Sequence, residues 1–370
     1  MNARRSRTQK RAMKNTPRKA LIGAAATALA ACGEADIGGI AYGADSCRRV
    51  ALTDASTGAE IKGAEDLALD AARGRLIISA YDRRAVEKAA RGREDALPQG
   101  GLYAVALSDI FNTDRKALRV SSLIAPGDVK GGLRPHGLSY DAASDEIVFI
   151  NRAYARKGRR WLMNPRIERR RADGSAAAAA AAPAPCAAND VLAQDAAVLA
   201  SFDHGFCDWR AGLEDILGLK RSGFAAVGGA REFNGAAFAN GLAQGPGGAV
   251  ALGATRENAV LLIKQEGARA AGIMRIKTPG GPDNLTVNAH GDVIAAVHPS
   301  LFRLAMNRKL GRGKAPSRIV RIDLSSGRVD TLFDDNGALF SAATAAIETE
   351  FGLIIGSVTD SGLLVCDGAS

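Results

Sequence analysis

Six stretches of the sequence begin with a carboxylate, an amide, an imidazole or a hydroxyl, then run through a half-apolar strand, a turn and a more apolar strand. They are EDLALDAARGRLIIS from Glu65, HGLSYDAASDEIVFI from His136, NDVLAQDAAVLAS from Asn189, NGLAQGPGGAVALG from Asn240, DNLTVNAHGDVIAAV from Asp283 and TAAIETEFGLIIGSV from Thr344. Side-chain oxygen dominates the openers Glu65, Asp66, Asn189, Asp190, Asn240, Asp283 and Asn284, with His136 among them. If the strands they open line a common axis, these groups converge. Two or three carboxylates with amide carbonyls suit a hard cation that takes six to eight oxygen ligands, calcium above all; zinc would call for imidazole or thiolate. The competing reading is local, because Asp and Asn also open turns by capping backbone groups. Other chemistries lack their motifs: there is no G-x-S-x-G elbow, no P-loop and no HExxH.

The elements that must position these residues are antiparallel hairpins. Ala-Arg-Gly, Ala-Ser-Asp, Pro-Gly-Gly and His-Gly-Asp punctuate them, and the second strands are rich in Val, Ile and Leu. Further strand candidates between the copies, such as GGLYAVALSDI, RAAGIMRIKT and SRIVRIDLSSG, complete four-stranded units. The pattern predicts an all-β fold, a six-bladed β-propeller with four-stranded antiparallel blades, over residues 40–370. A TIM barrel would need eight helical crossovers, and no matching series of amphipathic helices is present. The stretch at about 153–188, basic and then alanine-rich, reads as an insertion between blades.

The net charge of +10 is concentrated. Eight basic residues precede residue 20 without an acid, and nine lie from Arg152 to Arg171. A tail and a loop without interleaved aromatics predict no nucleic-acid partner. The tail leads into an apolar run from Leu21 to Ala31 and then Cys32, the outline of a signal segment over residues 1–32. The run is too short to span a membrane. Leu29-Ala30-Ala31-Cys32 resembles a bacterial lipobox, which makes Cys32 a lipidation candidate and a lipid anchor the expected membrane contact. The expected location is outside the cytoplasm of a bacterium, periplasmic or membrane-anchored. Cys186 and Cys207 show no metal-ligand spacing and read as unpaired thiols.

GAEDLAL at 63–69, RPHGL at 134–138, FANGL at 238–242, PDNLTV at 282–287 and VHPS at 297–300 resemble, in the same order, the motifs of the paraoxonase/arylesterase family. More distant relatives are the gluconolactonase-like propellers. The likeness spans about residues 47–368 and implies a calcium-dependent hydrolase of small, apolar carboxylic esters or lactones, with two calcium sites. Carried over by position, the catalytic calcium falls on Glu65, Asn240, Asp283 and Asn284, with a fifth ligand replaced by Phe202. The buried calcium falls on Asp66, Asp203 and the Leu138 carbonyl. His136 takes the general-base position, its supporting histidine is replaced by Arg152, and His298 matches a second channel histidine. The resemblance also implies a Cys47–Cys366 disulfide, joining places that are neighbours in a circular fold. The alternative to an enzyme is a non-catalytic propeller braced by calcium, acting as a lipid-anchored scaffold, and the departures at Phe202 and Arg152 keep it open.

Overall fold

Each hairpin's second strand is apolar on both sides because both sides are covered. In Arg75–Ala80, Leu76 and Ile78 pack in one cluster with Val50, Leu52 and Ile354, whereas Ile77 packs in another with Leu138, Ile147 and Phe149. Phe149 turns back to that second cluster while Val148 and Ile150 turn forward to Val191, Val198 and Ala200. Period-two alternation thus feeds two cores at once. The computed structural model describes residues 40–179, 181–194, 197–229, 231–266 and 269–368. It contains one such cluster at every junction between adjacent sheets, six around the ring. Each buried Val, Leu or Ile stabilises its junction by about 1.5–3 kcal/mol.

The sheets are the six blades of a β-propeller. From the axis outward, blade 1 is Ala64–Asp70, Arg75–Ala80 and Gly101–Ala106; blade 2 is Pro135–Asp141, Glu146–Asn151, Arg166–Arg171 and Ala182–Pro183. Blade 3 is Ala188–Gln194, Ala197–Phe202, Ser222–Ala226 and Arg231–Ala236; blade 4 is Ala239–Gln244, Val250–Ala254, Ala259–Glu266 and Arg269–Lys277. Blade 5 is Gly281–Val287, Val293–His298, Ser317–Ile322 and Val329–Asp335. Blade 6 is Ala343–Thr349, Gly352–Ser357 and Leu363–Asp367, completed by Cys47–Asp54 from the other end of the chain. The fourth strand of blade 1, Ala117–Val120, meets its own blade through the Tyr103–Ser122 bridge and otherwise runs parallel to Cys47–Asp54, tying blade 1 to blade 6.

At the closure, Cys47 lies directly across from Cys366, and the two form the expected disulfide. The 153–188 stretch differs from expectation. Its first part is a hairpin, Tyr154–Lys157 with Arg160–Met163, but Arg166–Arg171 and Ala182–Pro183 are blade 2's own outer strands. Basic residues suit an outer strand because their heads reach solvent while Ile167 faces the core. The signal segment, residues 1–32, and Cys32 lie outside the described residues. Among the described residues, no helix is long and apolar enough to cross a membrane.

In every blade the end of the second strand pairs with the start of the first: Ala80 with Ala64, Asn151 with Pro135, Phe202 with Ala188, Ala254 with Ala239, His298 with Gly281 and Ser357 with Ala343. Connections leaving the second strands therefore emerge beside the inner-strand openers. In blades 1, 3 and 5 they carry the helices Arg83–Gly92, Ala211–Leu217 and Leu301–Leu310; in blade 2 they carry the hairpin.

Candidate metal centre and its pocket

All six innermost strands break register near their starts. The shifts fall between Ala64 and Asp66, Pro135 and Leu138, Ala188 and Val191, Ala239 and Leu242, Pro282 and Leu285, and Ala343 and Ala345. A β-bulge sets two residues against one on the partner strand and re-aims their side chains. The first residue of each pair is Glu65, His136, Asn189, Asn240, Asp283 or Thr344; the second is Asp66, Gly137, Asp190, Gly241, Asn284 or Ala345. Small residues alternate in the second set for a steric reason. A Cβ at Gly137 would lie 2.4 Å from Asp190 Cα, and one at Gly241 would lie 2.5 Å from the Asp283 carbonyl oxygen.

Five of the first residues, Glu65, Asn189, Asn240, Asp283 and Thr344, line a pocket of about 130 Å³. His136 stands behind it, held between Glu65 Oε2 at its Nδ1 and Arg152 Nη2, 2.5 Å from its Nε2. A guanidinium only donates, so His136 Nε2 accepts and Nδ1 carries the hydrogen. Burial and then Arg152 push the imidazole down to about 4, so it stays neutral. Burial works to raise the Glu65 carboxyl, but His136, Arg152 and Arg83 hold it below the ordinary range. His298 does line the pocket: its Nε2 lies 2.7 Å from Asp283 Oδ2, and its buried Nδ1 has no hydrogen-bond partner. Among the described residues, His298 is thus a pocket-lining histidine with a buried nitrogen that has no hydrogen-bond partner.

The second residues do different work. Asp66 accepts from Leu67 N at 2.9 Å and, across to blade 2, from Leu138 N at 2.7 Å. Asp190 repeats this with Val191 N and, across to blade 4, Leu242 N, both at 2.7 Å. Asn284, expected among the catalytic ligands, donates from Nδ2 to the Glu65 carbonyl oxygen at 2.9 Å and does not line the pocket. Burial, reinforced by Asp190 and Glu65, raises the Asp66 pKa; burial, with Glu65 and Asp283, raises that of Asp190 to about 8.

This arrangement corrects the placement of Phe202 and Asp203. Phe202 ends the second strand of blade 3, the counterpart of His298 in blade 5, and its ring is fully buried. The inner-strand opener of blade 3 is Asn189, so the pocket floor has an amide where a ligand had been expected to be lost. Asp190, not Asp203, is the carboxyl group that acts on Asp66. Asp203 is on the pocket wall, where it pairs with His204 Nδ1 at 2.6 Å. His204 Nε2 lies 3.3 Å from Asp215, which also pairs with Arg256 at 2.7 Å. Although burial opposes the charge, Asp203 and Asp215 raise the His204 pKa to about 10. The loop bearing these groups is fastened by a Cys186–Cys207 disulfide, correcting the reading of both as unpaired thiols.

Another part of the pocket wall is basic, which the sequence did not announce. Arg83 opens the blade 1 helix, Arg152 follows the second strand of blade 2, and Arg308 lies on the blade 5 helix; all three line the pocket. Arg308 is pushed down to about 10, first by Arg83, then by burial and Arg152.

The floor fits a cation on its donor chemistry. Asn240 Oδ1 is buried and accepts no hydrogen bond among the described residues, while its Nδ2 meets Asp283 Oδ1. A half-turn of that amide would set two oxygens side by side, an arrangement that a shared cation stabilises. Among the described residues no three His, Cys, Asp or Glu side chains gather as a metal site; here two carboxylates stand with two amides, a hard-ion set rather than a zinc set.

No family model and no curated protein matches the sequence. Among solved structures, the chain is similar to a gluconolactonase from Xanthomonas campestris, at 14% identity over 90% of this chain and 98% of that one, TM-score 0.49. It is similar also to a glucose dehydrogenase, at 13% identity over 84% and 98%, TM-score 0.47. A third is virginiamycin B lyase from Staphylococcus aureus, at 11% identity over 87% and 98%, TM-score 0.46. Likeness at this level assigns no activity.

Proposed function

We propose that the protein is a calcium-dependent hydrolase of small carboxylic esters or lactones. The observation that carries this reading is the pocket floor: Glu65, Asn189, Asn240 and Asp283 present oxygens from four blades at one place, beside His298 with its unpartnered Nδ1. Those four residues would hold the ion. Calcium bound there supplies a Lewis acid that polarises a carbonyl and stabilises the oxyanion formed when water adds. His298 Nδ1 takes a proton from the attacking water, and Asp283, at Nε2, fixes the tautomer and steadies the imidazolium that results. His136 is a positioning residue, since Glu65 and Arg152 occupy both of its nitrogens. Asp66 and Asp190, with the Leu138 segment, form the candidate for a second, structural calcium; their raised pKa values give a buried cation or proton a reason to be there.

Two disulfides support export to an oxidising compartment, with Cys32 as the lipidation candidate. The test of activity is hydrolysis of phenyl acetate and of a γ- or δ-lactone with calcium and then with a chelator. Turnover that the chelator abolishes and calcium restores is expected. Calcium-replete protein that turns over neither substrate in a chelator-sensitive way would leave the alternative, a calcium-braced scaffold.

A further inference from the structure

The basic wall gathers three guanidinium groups that share two nearby carboxylates, Glu87 and Glu65. Arg83 gives Nε to Glu87 at 3.1 Å. Arg152 is 7% exposed and, among the described residues, its hydrogen-bond partners are neutral: His136, and the Tyr81 hydroxyl at 3.4 Å; its Nε is buried with none there. Arg308 makes no ion pair and no side-chain hydrogen bond among the described residues, although Arg83 and Arg152 are near enough to repel it. Of the other acids of the pocket, Glu65 shares the field of Arg83 and Arg152, and Asp283 that of Arg308, but the direct contacts of these acids lie elsewhere. Glu65 meets His136, Asp283 meets His298, and Asp203 and Asp215 balance His204 and Arg256. Burying a guanidinium without a counter-charge is costly. Repulsion among three of them, converging from separate elements onto one pocket wall, is relieved by an anion. The rigid fork of arginine matches a carboxylate or phosphate face to face, and several forks together discriminate against neutral groups. A cation on the floor would add to this field rather than offset it.

We infer that the Arg83–Arg152–Arg308 wall binds an oxyanion substituent, a carboxylate or a phosphate, carried by the ester or lactone that reacts at the floor. This rests on the hydrolase reading for the word substrate, but anion binding can be measured without turnover. It replaces the expected apolar substrate with an anionic one.

The test uses the calcium-replete full chain in calorimetric titrations with glutarate, inorganic phosphate and the neutral glutaramide, on wild type and Arg308→Gln. In parallel, kcat and KM are measured for γ-butyrolactone and for the same lactone bearing a carboxylate. Binding of at least one anion and not of glutaramide is expected, weakened about tenfold to a hundredfold in Arg308→Gln. The KM for the carboxylated lactone should rise by a similar factor, well beyond any change in the KM for γ-butyrolactone. Glutarate without phosphate identifies a carboxylate substrate, and the reverse a phosphate ester. Removing Arg308 relieves repulsion, so its melting temperature should hold or rise; Arg308→Lys, which keeps charge without the fork, should fall between. Anions binding no better than glutaramide, or equally well to Arg308→Gln, would overturn the inference even with calcium-dependent turnover intact. Arg308-dependent anion binding with no turnover of any ester would sink the hydrolase and leave the anion site standing.

Discussion

Blades 2 and 3 finish their second strands at equivalent places, and the residues that follow, Arg152 and Asp203, both line the pocket. Their company differs. Asp203 begins an alternating series, Asp203–His204–Asp215–Arg256, in which every charge has an opposite neighbour. Arg152 leans on a neutral imidazole and a phenol, with Arg83 and Arg308 beyond. One wall completes itself; the other is complete only with something bound. Equivalent positions in a repeated fold can therefore serve stability in one blade and recognition in the next, and burial alone does not tell them apart.

The largest effect should come from the floor that both walls share. Glu65→Ala or Asp283→Ala is expected to lower chelator-sensitive turnover by at least about a thousandfold with an unchanged circular dichroism spectrum; retained activity in both would place the metal elsewhere. Next is the fastening of the self-completing wall. Replacing Cys186 and Cys207 together by Ser should cost about 3 kcal/mol and lower the melting temperature by about 5 °C, without changing anion affinity at the basic wall. A fall in anion affinity as well would mean that the two walls are mechanically one.

His204 gives the self-completing wall a pH dependence. Its folded pKa, about 10, is above the unfolded value of about 6.5. Its contribution is therefore fully present below the unfolded value and fades as pH rises through the folded one. His204→Gln should cost about 1–2 kcal/mol near neutrality after allowance for solvent screening, and the deficit should close by about pH 10 in urea titrations. The smallest effect belongs to Arg256→Gln. That partner is more than a third exposed, and a change well under 1 kcal/mol is expected; a larger one would show that the alternating series acts as a unit.

The fold was largely legible because six hairpins repeat one pattern, and the residues that open them are those the bulges bring to the axis. The shift of register itself was not, since a bulge leaves no mark in composition. That is how Asp203-His204, a local string of suitable chemistry, drew a ligand role, whereas the bulge of that blade falls at Asn189-Asp190 one strand earlier. The opener pattern already held the better assignment: Asn189 stands in its blade where Glu65, Asn240 and Asp283 stand in theirs. The basic wall had no comparable signal. Arg83, Arg152 and Arg308 come from a helix start, a strand end and a second helix in three different blades, and the ring alone brings them together. The Cys186–Cys207 pair was hidden for a similar reason, because both residues lie in loops whose approach depends on the inner strands beside them.

The seam in blade 6 has a consequence for how the molecule comes into being. Cys47–Asp54 has its antiparallel partner in Leu363–Asp367, so Cys47 must wait for a residue 319 positions later before it can pair. Five blades can form in the order of synthesis, but the ring cannot shut until Leu363–Asp367 is available. An unshut ring has two raw edges, ready templates for a neighbouring chain. Were the chain threaded unfolded out of a reducing compartment, that delay would be an advantage: the ring would close late, and the oxidant that locks it would be met only on the far side.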